Sequence, residues 1–100
     1  MTANITPDEL RSWINSGKEL TLIDVREDWE HADYNIGGKL IPLSEISQRI
    51  EEIPIHEPLI FYCRKGIRSV IALQRIASKL PPELPLYNLS GGIEAWMKSE

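Results

Sequence analysis

One hundred residues suffice for one domain and are too few for two. A chain that is 42% apolar and 26% charged is ordinary for a globular protein, and its longest apolar runs fall far short of a bilayer span. A net charge of −4 speaks against a general nucleic-acid binder, and a single cysteine excludes an internal disulfide and suits a reducing compartment. That cysteine and two isolated histidines, His31 and His56, match no zinc spacing. Met1-Thr2-Ala3-Asn4 has no basic region followed by an apolar one, so a cytosolic protein is expected, with neither membrane nor nucleic acid as partner.

Ala3-Asn4-Ile5 reads as a short first strand. Thr6-Pro7-Asp8-Glu9 then predicts a helix start, with Thr6 as cap, Pro7 in the first helical position and Glu9 completing a capping box. Leu10, Trp13 and Ile14 follow at helical spacing as packing residues, and Gly17 ends the helix. Leu20 to Val25 is a continuous apolar and β-branched run, as in a buried parallel strand. The run closes on Asp24-Val25-Arg26, and charge at the end of a buried strand needs partners; Asp24 and Arg26 are therefore read as bracing neighbouring loops, with substrate contact as the other reading. Glu27 to Ala32 predicts a short helix with an acidic start, Tyr34 to Gly38 a turn, and Lys39 to Pro42 a brief strand. Ser44 is placed to cap a further helix carrying Ile46, Ile50 and Ile53, and Pro54 and Pro58 bracket a surface connection in which His56 is a solvated loop histidine.

Leu59 to Tyr62 is a second apolar strand, and it delivers Cys63. The six residues from Cys63 to Arg68 form a tight basic turn, followed by a helix whose apolar stripe runs from Val70 to Leu80 and stops at Pro81-Pro82. Pro85 to Leu89 is the last strand, and Ser90-Gly91-Gly92 turns into a closing helix with Ile93, Trp96 and Met97 on one face. The two glycines read as turn geometry, since the chain has no Gly-x-Gly-x-x-Gly or Walker pattern and no cofactor is expected. Strands alternating with helices predict an α/β fold, a mostly parallel sheet of about five strands with helices on both faces. Sites in such sheets lie beyond the carboxyl ends of the strands, where Cys63 falls. A thiol there faces the amide groups of a helix start and three nearby cations, Arg64, Lys65 and Arg68, all of which favour the thiolate.

Cys63-Arg64-Lys65-Gly66-Ile67-Arg68 resembles the active-site loop of rhodanese domains, a sulfurtransferase family, and Arg-Lys-Gly after the cysteine resembles thiosulfate sulfurtransferases in particular. Leu22 to Glu27 is similar to the family's early Asp-Val-Arg stretch, and Leu89 to Trp96 to its closing Gly-Gly…Trp stretch. One departure stands out. Asn35-Ile36-Gly37-Gly38-Lys39 takes the place of the commoner His-Ile-Pro-Gly-Ala, a change that resembles rhodanese modules fused to, or working beside, adenylating enzymes.

The resemblance implies a single rhodanese domain over residues 1–100 that transfers sulfane sulfur by two displacements. Cys63 is the nucleophile, and a soft thiolate suits sulfur. The backbone amides of Arg64, Lys65, Gly66, Ile67 and Arg68 form a nest for the thiolate or persulfide anion, and the three cations attract an anionic donor. Asp24, Arg26 and Ser69 support the loop. The donor is thiosulfate or a persulfide-bearing protein, and the acceptor a thiol or cyanide. Two other readings remain: a non-catalytic or weakly active sulfur-relay module, and a phosphatase or arsenate reductase. The last is disfavoured because four residues separate Cys63 from Arg68, one fewer than in phosphatase-type loops.

Overall fold

In the computed structural model, which describes residues 2–100, the chain runs β1 (Thr2–Ile5), α1 (Pro7–Asn15), β2 (Thr21–Asp24), α2 (Asp28–Asp33), β3 (Lys39–Leu40), two 3-10 turns (Leu43–Gln48 and Ile50–Glu52), β4 (Leu59–Tyr62), α3 (Ile67–Ile76), a third 3-10 turn (Ala77–Lys79), β5 (Leu86–Leu89) and α4 (Gly92–Lys98). The five strands form one parallel sheet in the order β1-β5-β4-β2-β3. No helix among the described residues is long and apolar enough to cross a membrane.

β4 lies at the centre of the sheet and is buried throughout, which is why it reads as an unbroken apolar run. Its side chains still alternate. Leu59, Phe61 and Cys63 join the layer formed with Ala72, Leu73 and Ile76 of α3 and with Ile46 and Ile53. Ile60 and Tyr62 join the opposite layer, with Leu10 of α1 and Ile93 and Trp96 of α4. Cys63 thus belongs to the α3 face, one step past the end of β4.

The start of α1 follows from local chemistry. The Thr6 hydroxyl accepts from the Glu9 amide at 3.1 Å, and the Glu9 carboxylate accepts from the Thr6 amide at 2.9 Å. Trp13 packs edge-on against Tyr87, with ring centroids 5.1 Å apart.

Four expectations are corrected. Ser44 does not cap a helix: the amides of Ile41 and Leu43 bond the Asp24 and Val25 carbonyls at 2.9 and 3.0 Å, so the backbone stays laddered to β2 and Pro42 occupies the cap position. Ser44 therefore falls inside the first of two 3-10 turns, which still bury Ile46 and bring Ile53 into the core. α3 begins at Ile67, so Ile67 and Arg68 are already helical. Its buried stripe is Ser69, Ala72, Leu73 and Ile76, and Val70 faces outward. Ile14 and Met97 likewise leave the apolar faces assigned to them and are exposed.

Candidate active site

Three elements build the loop that holds Cys63. β4 ends at Tyr62 and brings the cysteine into the core, where it is 1% exposed. Gly66, with φ +95°, caps α3 and turns the chain back, so that its amide donates to Cys63 Sγ at 3.1 Å. The Ser69 amide, one turn into α3, donates to the same sulfur at 3.4 Å, and the Ser69 hydroxyl lies 3.4 Å from it. Gly66 is thus the one residue from Arg64 to Arg68 whose amide bonds Sγ, and Ser69 adds a donor beyond that stretch. Two N–H groups aimed at one sulfur at the start of a ten-residue helix stabilise negative charge there.

The third element is the start of α4. The Ile93 amide donates to the Cys63 carbonyl at 2.9 Å, and the Glu94 amide to the Arg64 carbonyl at 3.0 Å. This approach leaves no room for a side chain at Gly92, where a Cβ would stand 2.4 Å from the Cys63 carbonyl oxygen and 2.5 Å from the Arg64 carbonyl carbon. The closing Gly-Gly stretch is a turn, as read from the sequence, and it is also the buttress of the cysteine loop.

The three cations differ in what they have left to offer. Arg68 grips Glu30 of α2 with both ends of its guanidinium, at 2.7 and 2.9 Å. Arg68, helped by the Glu27 amide, takes the Glu30 carboxyl from 4.5 down to about 2 against the opposing effect of burial. In turn Glu30 raises the Arg68 guanidinium above its ordinary range, with a smaller contribution from Cys63. Arg64 reaches Glu94 at 3.0 Å in an exposed pair. Lys65 is exposed and makes no ion pair among the described residues. The Ile67 side chain is 66% exposed.

Asp24 is fully buried at the end of β2 and takes four bonds. The Arg26 amide and Nε donate to Oδ1 at 3.0 and 2.9 Å, Arg26 Nη2 donates to Oδ2 at 2.9 Å, and His31 Nδ1 lies 2.8 Å from Oδ2. Arg26 also donates to the Tyr34 carbonyl at 2.6 Å and stands 5.6 Å from the ring of Tyr62, the residue before Cys63. The Tyr62 hydroxyl donates to the Gly37 carbonyl at 2.8 Å, and burial raises its phenol above the ordinary value. The network ties β2, α2 and the Asn35 to Gly38 turn to the residue that precedes the cysteine.

The sequence reading missed Glu30, Glu94 and Asn88. Asn88 is buried on β5, on the same sheet face as Leu86 and Cys63, and accepts from the Ser69 hydroxyl. Its signal was present, because strand alternation puts a polar residue at a core-facing position. Glu30 had no such mark among the acidic residues of α2. Among the described residues no group of His, Cys, Asp and Glu is placed to hold a metal ion.

A family model for the rhodanese-like domain matches residues 6–99. The chain is 39% identical over 102 residues to the probable adenylyltransferase/sulfurtransferase MoeZ of Mycobacterium tuberculosis; the match takes in 96% of this chain and 25% of that protein, so the chain spans about a quarter of that relative's length. It is 30% identical over 99 residues to a sulfurtransferase of Allochromatium vinosum, covering 98% of this chain and 91% of that one. The human single-domain sulfurtransferase TSTD1 superimposes with a TM-score of 0.80 at 28% identity, over 97% of this chain and 96% of that one. From Thr6 to Ser99, then, the chain belongs to the rhodanese-like family of sulfurtransferase domains.

Proposed function

We propose that the protein transfers sulfane sulfur through a persulfide on Cys63. The observation that carries this reading is the Cys63 sulfur itself, held at the start of α3 with two backbone N–H groups donating to it. The Cys63 thiolate attacks the outer sulfur of thiosulfate; the S–S bond breaks and sulfite leaves with its electron pair. The persulfide's outer sulfur carries the negative charge into the space of the loop. An acceptor then attacks that outer sulfur, the S–S bond to Cys63 breaks, and the pair returns to Sγ as thiolate. Cyanide leaves as thiocyanate, and a thiol acceptor leaves as a persulfide. A persulfide-bearing protein enters the first step in place of thiosulfate with the same balance. Two displacements through one covalent intermediate give ping-pong kinetics.

Arg64 to Arg68 form the wall of the loop, with Lys65 as the cation free to meet an anionic donor. Asp24 and Arg26 act from behind, through Tyr62, while Ser69 acts on Sγ directly through its amide and hydroxyl. The test is the intact mass of the protein after brief incubation with thiosulfate, and again after cyanide. The expected result is a gain of one sulfur atom that cyanide removes and that Cys63→Ser never shows. Persulfide formation in Cys63→Ser, or no sulfur gained from either thiosulfate or a protein persulfide, refutes the proposal.

A further inference from the structure

Behind Cys63 runs a hydrogen-bond chain that reaches the surface of the sheet edge. The Ser69 hydroxyl lies 3.4 Å from Sγ and donates to Asn88 Oδ1. Asn88 Nδ2 donates to Asn4 Oδ1 at 3.2 Å, and Asn4 is the register partner of Asn88 on β1. The chain opens into a groove of about 320 Å³ between β1 and α3, which Asn4, Asn88, Val70 and Gln74 help to line. Ser69 is fully buried, so its hydroxyl has no water to take the place of Asn88, and Asn88 is 6% exposed where it borders the groove. Among the described residues no buried side-chain N or O lacks a partner.

A hydroxyl has one proton to give. With Cys63 a thiol, the chain closes: S–H donates to Ser69 Oγ, and Ser69 donates to Asn88. Once the proton leaves the sulfur, Ser69 Oγ presents a lone pair to a thiolate. Relief requires the hydroxyl to turn toward Sγ, which strips Asn88 Oδ1 of its donor in a buried place, and that is costly. We infer that Asn88 is a positioning residue for the nucleophile: it competes with the Cys63 thiolate for the Ser69 hydroxyl proton and so holds back ionisation of the cysteine. In the persulfide the inner sulfur is uncharged, the competition ceases, and the hydroxyl returns to Asn88. This role rests on the assignment of Cys63 as nucleophile, but its test needs no sulfur transfer.

The test is the pH profile of Cys63 alkylation by iodoacetamide in the full chain. The charges on the elements around the sulfur are Arg64 and Lys65 of the loop, Arg68 of α3 with Glu30 of α2, Asp24 at the end of β2 with Arg26 beyond it, and Glu94 of α4, and all are kept in the variants. In Asn88→Leu the Ser69 proton is released to the thiolate, and the midpoint is expected to fall by about one pH unit. Asn88→Asp keeps an acceptor and adds charge, and the midpoint is expected to rise. In a Ser69→Ala background the Asn88→Leu shift should shrink to within about 0.2 unit, because the competing proton is gone, whereas the Asn88→Asp shift should survive in part through its charge. A profile unmoved by Asn88→Leu overturns the inference. So does an upward shift, which would mean that Asn88 donates to Ser69, and so does a full Asn88→Leu shift surviving in Ser69→Ala. If Asn88→Leu does not fold, Asn4→Ala at the exposed end of the chain replaces it; loosening the amide should lower the midpoint by a few tenths of a unit, and no change or a rise overturns the inference.

Discussion

Lys65 and Arg64 are adjacent, and on the sequence alone they offer a donor the same charge. In the structure Arg64 is engaged by Glu94, whereas Lys65 meets no carboxylate among the described residues. A dianion entering the loop must compete with Glu94 for Arg64 but meets Lys65 free. Lys65→Ala is therefore expected to raise the KM for thiosulfate about fivefold, the size of a single exposed charge interaction of about 1 kcal/mol, and Arg64→Ala by about twofold or less. Steady-state kinetics of the two variants side by side decide this, and equal effects would remove the distinction. At this scale the placement of Cys63 was legible, because an apolar strand runs up to it and a helical stripe follows, and the structure puts it between β4 and α3. Asn88 was not noticed, although its place in the alternation marked it. Glu30 was out of reach, because only the folded chain brings α2 to the first turn of α3.

At the scale of elements, the loop is shaped by what surrounds it. α4 presents its first amides to the Cys63 and Arg64 carbonyls, and Gly92 permits the approach. Gly92→Ala adds a methyl group against rigid backbone at φ +61°, so a loss of at least about 2 kcal/mol in stability is expected, with transfer down by about tenfold or more. Gly37→Ala is the control: its φ is +98° but a Cβ there meets nothing within 4 Å, so it carries the backbone strain alone and should keep most of its activity. Urea unfolding and a thiosulfate assay on both variants separate clash from strain.

The α2 to α3 bond has a pH signature. Glu30 is depressed from 4.5 to about 2 in the fold, so the unfolded chain binds its proton first as pH falls. Its contribution is complete above about pH 5 and drains away as pH drops toward about 2, and because Arg68 is one-third exposed it amounts to about 1–2 kcal/mol. Wild type should exceed Glu30→Gln in urea midpoint at neutral pH, with the gap narrowing steadily below about pH 5. A gap that holds constant into acid would rule this out. The capping box of α1 was readable because its partners are three residues apart. The helix assigned to Ser44 was not, because the ladder that carries Leu43 past Ser44's cap position comes from β2, about twenty residues earlier.

Over the whole molecule, a parallel sheet with an apolar layer on each face explains why three short stretches far apart in sequence meet around the end of β4 and the cysteine loop. β2 and β4 are sheet neighbours, so Asp24-Val25-Arg26 lies beside Tyr62 and Cys63; β5 is the other neighbour of β4, so the Gly-Gly turn arrives on the opposite side. The parallel sheet of about five strands was legible because each βα unit announced itself by period and punctuation; the order of the strands was not read from the sequence. The charge distribution is the other property of the whole. Eleven cations stand against fifteen anions, yet three of the cations fall within the six residues that begin at Cys63. The anionic donor proposed above would therefore meet a protein that repels it broadly and attracts it at one place, and salt would weaken both effects. Near the loop attraction wins, because distances there are shortest. Raising ionic strength from about 0.01 M to about 0.15 M shortens the screening length from about 30 Å to about 8 Å, and kcat/KM for thiosulfate is expected to fall several-fold. Stripping Lys65 from the loop leaves Arg64 and Arg68 in ion pairs and the net charge more negative. The salt dependence of Lys65→Ala should then be flat or reversed, with activity rising as the surrounding anions are screened. A slope as steep as that of the wild type would place the attraction elsewhere on the surface.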